Sequence, residues 1–131
     1  MPYLFFLLIL VSINADSEFD VYHCVIKQSQ RVSNQGVLTD QLQYKKLVGK
    51  GFSVDKNTGA IVGALTTDNL HAQPSIIDYG SKNQSFKVII PYYPETTVDL
   101  LLIEAYSSNH QKPFTFITLG SIFTGLCLTR E

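Results

Sequence analysis

Residues 98–106 read VDLLLIEAY, the most continuous apolar run after the first 13 residues. Leu100 to Ile103 put apolar side chains on both faces of an extended strand. Such a strand belongs at the centre of a sheet and is expected to be covered on both sides. The neighbouring runs extend the pattern. In Phe86 to Tyr93 (FKVIIPYY), Phe86, Val88, Ile90 and Tyr92 alternate onto one face. Pro91 has no backbone donor and marks the edge or end of that strand. Pro113 to Leu119 and Ile122 to Thr129 form a hairpin about Gly120-Ser121.

Working back toward the N-terminus, Gly51 to Leu65 forms the clearest local unit. Phe52-Ser53-Val54 is one strand, Asp55 to Gly59 (DKNTG) a turn, and Ala60 to Leu65 the return strand. Asp and Asn side chains bond nearby backbone in such turns, and Gly59 takes a positive φ without steric cost. The Asp-x-Asn start also opens some calcium loops. However, the sixth and twelfth positions, Ala60 and Thr66, lack the glycine and the acid that such a loop requires. Residues 37–48 (VLTDQLQYKKLV) read as a strand leading into Gly49, with a short helix as the alternative. Ser29 to Gly36 and Thr66 to Ser85 are polar and read as loops, the latter with a short strand at Ser75 to Tyr79.

In Phe19 to Gln28 (FDVYHCVIKQ), Tyr22, Cys24 and Ile26 share one face of a first strand. The other cysteine, Cys127, lies in the last strand. An isolated pair in an exported chain reads first as a disulfide, and a cystine requires the two terminal strands to lie close together. The expectation is therefore an all-β domain of about seven or eight antiparallel strands, with one short helix at most. Its strands form a small barrel, a coiled meander or a sandwich, closed by Cys24–Cys127.

The first residues differ from the rest. Tyr3 to Ile13 (YLFFLLILVSI) carries no charge. As a helix it would reach only about half of the ~30 Å hydrocarbon core. It reads as the apolar region of a signal peptide at residues 1–17, followed by a single domain at residues 18–131. Cleavage after Ser17 places Ala15 and Ser17 at the positions that favour small residues, and cleavage after Ala15 is the weaker alternative. The chain is thus expected to be exported, to the periplasm or the cell exterior, with no membrane span once the signal is removed.

The residue types that carry chemistry are sparse. Ten Lys and Arg stand against eleven Asp and Glu, a net charge of −1, so nothing calls for a nucleic-acid partner. His23, His71 and His110 have no spacing that prearranges metal ligands, and no cofactor motif is present. No Gly-x-Ser-x-Gly elbow occurs, and Glu104 is the acid nearest an apolar run. A non-enzymatic binding or interaction module is the leading expectation, of an inhibitor or immunity type, with a protein partner ahead of a small ligand. A small apolar-ligand carrier, with a cavity behind Leu100, Leu102, Phe114 and Phe116, is the alternative, and a small secreted enzyme the third. Tyrosine suits recognition because it joins a large apolar body to a polar tip. Tyr92 and Tyr93, between Pro91 and Pro94, are the leading surface candidates, with Tyr79 beside them. One glycosylation sequon, Asn83-Gln84-Ser85, falls in a polar loop. The two ends, Tyr22-His23-Cys24 and Cys127, resemble in plan those of small envelope-located inhibitor barrels such as the periplasmic lysozyme inhibitors. That resemblance covers the ends alone and assigns a role to no residue.

Overall fold

A computed structural model describes residues 20–66 and 70–129. The expected signal segment, 1–17, lies outside the described residues. Nine strands form one antiparallel sheet, an open half-barrel: β1 (Val21–Val32), β2 (Leu38–Asp40), β3 (Gly51–Asp55), β4 (Ile61–Gly63), β5 (Ser75–Tyr79), β6 (Phe86–Pro91), β7 (Val98–Ile103), β8 (Gln111–Thr118) and β9 (Ser121–Leu128). A 3-10 helix, Leu42–Leu47, separates β2 from β3. The strand order is β4-β3-β1-β9-β8-β7-β6-β5, and β2 pairs with the second half of β1. Strands β5 to β9 form an up-and-down meander, and β1 then joins the far side of β9.

The first and last strands are thus neighbours, as the cysteines require. Cys24 lies directly opposite Cys127 in the β1–β9 ladder, and the two form a disulfide. The sheet opens elsewhere, between β4 and β5, in the middle of the chain.

Alternation along each strand explains the core. Tyr22, Cys24 and Ile26 of β1, Phe52 and Val54 of β3, and Ile61 of β4 point inward. From the meander come Phe86, Val88 and Ile90 of β6, Leu101 and Ile103 of β7, Phe114 and Phe116 of β8, and Phe123 and Cys127 of β9. Rings meet across the concave side: Tyr22 lies 5.3 Å from Phe86, and Phe52 packs edge-on to Phe114 at 5.0 Å. These contacts join strands that share no ladder, so side chains fill the half-barrel.

Four readings of the sequence change. First, β1 does not stop at Gln28 but runs through Ser29 to Val32. A bulge after Ile26 resets its alternation, which turns Ser29 inward, and ladders on both edges hold the polar residues extended. Second, residues 37–48 split into a three-residue strand followed by the 3-10 helix, so strand and helix are both present. Third, the last hairpin turns on Leu119-Gly120, both at positive φ, and Ser121 is already a buried strand residue. That is the signature of the turn type whose twist matches the flanking strands. Fourth, the β7 register sends Leu101 and Ile103 inward with Phe116 and Phe114, whereas Leu100 and Leu102 lie on the convex face. No described residue forms a second layer over that face.

Candidate binding surfaces

The half-barrel has two mouths of opposite character. At the first, the ends of β5, β7 and β8 surround a cleft of roughly 560 Å³. Tyr22, Tyr79 and Tyr106 line it together with Lys82, Lys112, Ser107 and Ser108. Tyr79 is 68% exposed, whereas Tyr22 is buried among core residues. Burial raises the Tyr22 phenol above its usual pKa. The Lys56 ammonium sits 4.5 Å from the Tyr22 ring centre. Its pKa is lowered by burial, an effect that nearby Asp20 partly offsets. The Lys112 ammonium donates to the Ser107 carbonyl, which fixes the β7–β8 loop across the cleft.

Among the described residues, no carboxylate lines this cleft. Asp78, the nearest acid on β5, is occupied elsewhere: one oxygen accepts from the Gly80 amide at 2.8 Å, and the other lies 3.8 Å from the Lys87 ammonium. Local sequence explains the arrangement. Asp78 caps the turn at Gly80, where φ is positive, and the reversal places Lys82 at the cleft rim while Tyr79 remains on the strand.

The second mouth is acidic through one residue, Asp99, set among aromatic and aliphatic side chains and two threonines. Tyr44, Leu47, Leu65, Phe116 and Phe123 line an open cavity of about 260 Å³. Asp99 is 6% exposed, and one of its carboxylate oxygens accepts a 2.7 Å hydrogen bond from the Tyr92 hydroxyl. Tyr92 is therefore turned in toward Asp99, while Tyr93, 54% exposed, faces out. The Tyr93–Pro94 peptide bond is cis.

The structure thus separates the three tyrosines singled out from the sequence. Tyr92 and Tyr93 follow β6 at the acidic mouth, whereas Tyr79 pairs with Phe86 at the other end of that strand. Sequence reading did not single out Tyr106, Lys82 and Lys112. Tyr106 lies in the β7–β8 loop and Lys112 at the start of β8, so both belong at one end of the sheet, but the convergence of Lys82 depends on the β5–β6 register.

The remaining candidates do not converge. His23 lies on the convex face of β1, its Nδ1 3.2 Å from the Ser53 hydroxyl. The His71 carbonyl accepts from the Tyr93 amide near the acidic mouth, and His110 lies in the β7–β8 loop. Among the described residues, no three His, Cys, Asp or Glu side chains group as metal ligands. Glu104 follows β7 and is half-buried, its amide bonded to the Pro113 carbonyl. Beside the β1 bulge, a groove of roughly 410 Å³ runs along the 3-10 helix. At its side the Ser29 hydroxyl and the Gln41 side-chain oxygen are buried without a protein partner, positions that a buried water commonly serves.

Compared with known proteins, the chain matches no family model, no curated protein and no solved structure. Among the described residues, no helix is long and apolar enough to cross a membrane.

Proposed function

We propose that the protein is an exported, non-enzymatic binding module that recognises an acidic segment of a partner protein at the tyrosine–lysine mouth. The observation that carries this reading is the cleft itself: Tyr79 and Tyr106 stand at its rim with Lys82 and Lys112, and no described carboxylate compensates the lysines. Tyrosine offers rigid, amphipathic contact area at low conformational cost, and the lysines select an acidic partner by charge. The disulfide supports the exported location, because a bridge of this kind persists in an oxidising compartment. An inhibitor or immunity role, in which the module occupies an enzyme of the same compartment, is the specific version of this proposal.

Crosslinking in extracts of the host's envelope and medium tests it. A partner held by the native protein, lost from a Tyr79→Ser, Tyr106→Ser double variant and released by raised salt is the expected result. Capture that ignores both the substitutions and the salt would overturn it.

A second reading, a carrier of a small apolar ligand, draws on the acidic mouth. Its 260 Å³ cavity joins aromatic walls to the Asp99–Tyr92 pair, and so suits a ligand with one hydroxyl or amine. Native mass spectrometry of protein taken from its host separates the two readings, since a carrier retains a small added mass.

A further inference from the structure

Resting on the carrier reading of the Asp99 mouth, we infer that this mouth binds an alkylammonium group, with the cation on the Asp99 carboxylate and its carbon chain against an aromatic wall. Asp99 occupies a core position of β7. It stands opposite Ile90 in the β6–β7 ladder and shares its face with Leu101 and Ile103. Those three neighbours are fully buried, and Asp99 itself is 6% exposed. A carboxylate in such a place is costly unless it is both hydrogen-bonded and matched by a positive charge.

The first condition is half met. The Tyr92 hydroxyl donates to one carboxylate oxygen, and the other oxygen accepts from no group among the described residues. That second oxygen is not sealed in, because the described side-chain oxygens buried without a partner are those of Ser29 and Gln41. Asp99 lines the open cavity, so the cavity is where this oxygen is reached. The second condition is not met. Among the described residues, no Lys, Arg or His lines the cavity, and none forms an ion pair with Asp99.

The remaining walls suit the other end of such a ligand. Phe123 of β9 lies 5.6 Å from the Tyr44 ring, carried by the 3-10 helix, and 6.4 Å from the Phe116 ring of β8. All three rings line the cavity, with Leu47 and Leu65 beside them. Aromatic faces attract a cation and bury alkyl carbon. The Thr66 hydroxyl is already engaged, since it accepts from the Gly63 amide and donates to the Gly63 carbonyl. A metal ion is not selected, because a calcium ion takes about six to eight oxygen ligands and this cavity sets one carboxylate among carbon. At about 260 Å³ the cavity is smaller than the ~300–1,000 Å³ of a drug-sized pocket. The occupant is therefore a small free amine or the end of a lysine side chain, which share one chemistry.

Calorimetry of n-butylammonium chloride against the oxidised protein tests the site, with n-butanol as a neutral ligand of the same length. Binding of the cation on the order of millimolar is expected, with the alcohol at least about tenfold weaker. Asp99→Asn should reduce the cation to the level of the alcohol. Asparagine keeps the volume and still accepts from Tyr92, and the comparison of two ligands on the native protein stands without the variant. Nα-acetyl-lysine N-methylamide separates the two sources: affinity equal to that of n-butylammonium assigns the site to a partner's lysine, and lower affinity assigns it to a free amine. Equal binding of n-butylammonium and n-butanol would overturn the ammonium assignment and leave the carrier reading standing. Binding of neither would overturn both. Cation binding unchanged in Asp99→Asn would place the cation elsewhere and overturn the assignment as well.

Discussion

The sheet has two boundaries that close in different ways: the β1–β9 seam and the gap between β4 and β5. At the seam, β1 pairs with β9 along eight residue pairs, and a cystine joins residues 103 apart in sequence. At the gap no ladder crosses. There the β3–β4 turn leans on the far edge of the sheet instead, with Gly59 seated against Val88 and Ile76. The half-barrel is therefore a ring made covalent where its ends meet and held by packing where its middle opens. The contrast implies that the seam carries global stability, whereas the gap governs local opening.

Substitutions at each boundary test the contrast. The largest effect is expected from Cys24→Ala with Cys127→Ala. Freeing a loop this long costs about 4–5 kcal/mol in the chain-entropy model, measurable by urea unfolding. Next is Gly125→Ala, also at the seam. A Cβ there would lie 2.0 Å from the Val25 carbonyl oxygen and 2.7 Å from the Phe114 ring. The first neighbour is backbone beside the β1 bulge and cannot swing away, so a loss of about 2–3 kcal/mol is expected. Gly59→Ala probes the gap. It places a Cβ 2.8 Å from Val88 at a φ of +79°, and should cost about 1–2 kcal/mol. Hydrogen exchange should show that cost as faster opening of β3 to β6 with the seam amides less affected; uniform acceleration would erase the distinction.

The smallest effect is one of pH. Folding raises the Tyr22 pKa, so the folded state holds this proton more tightly, and stability should fall as pH rises through the usual tyrosine range near about 10. Lys56 acts with the opposite sign. Its folded pKa is lowered, so its penalty fades as pH climbs toward the usual lysine range. Unfolding midpoints of a Tyr22→Phe variant should therefore decline less above pH ~10 than those of the native protein.

The seam was legible in the sequence because its evidence is local. Cys24 and Cys127 each lie on a short alternating run, and a cystine constrains where those runs sit. The gap was not legible, since open edges belong to no single segment. The same limit explains Ser29 to Val32, which look like loop until β2 and β9 supply partners on both sides. Alternation found the inward residues of β6 without difficulty. It failed at β7, where Leu100 to Ile103 are uniformly apolar and only pairing with Phe114 and Phe116 assigns the faces. The cleft was partly visible through Tyr79, but Lys82 reaches it by way of a turn and a register that composition does not encode.

The meeting of β1 and β9 also makes the order of the strands cyclic. Every ladder from β5 through β9 to β1, β3 and β4 would survive if a short linker joined residue 129 to residue 20 and the chain began instead at Ser75. New termini would then emerge beside the gap, where no strand ladder is interrupted and the Ala72–Tyr92 bridge alone adjoins the cut, and residues 20 and 129 would be absorbed into a continuous hairpin. The architecture itself thus has no preferred beginning.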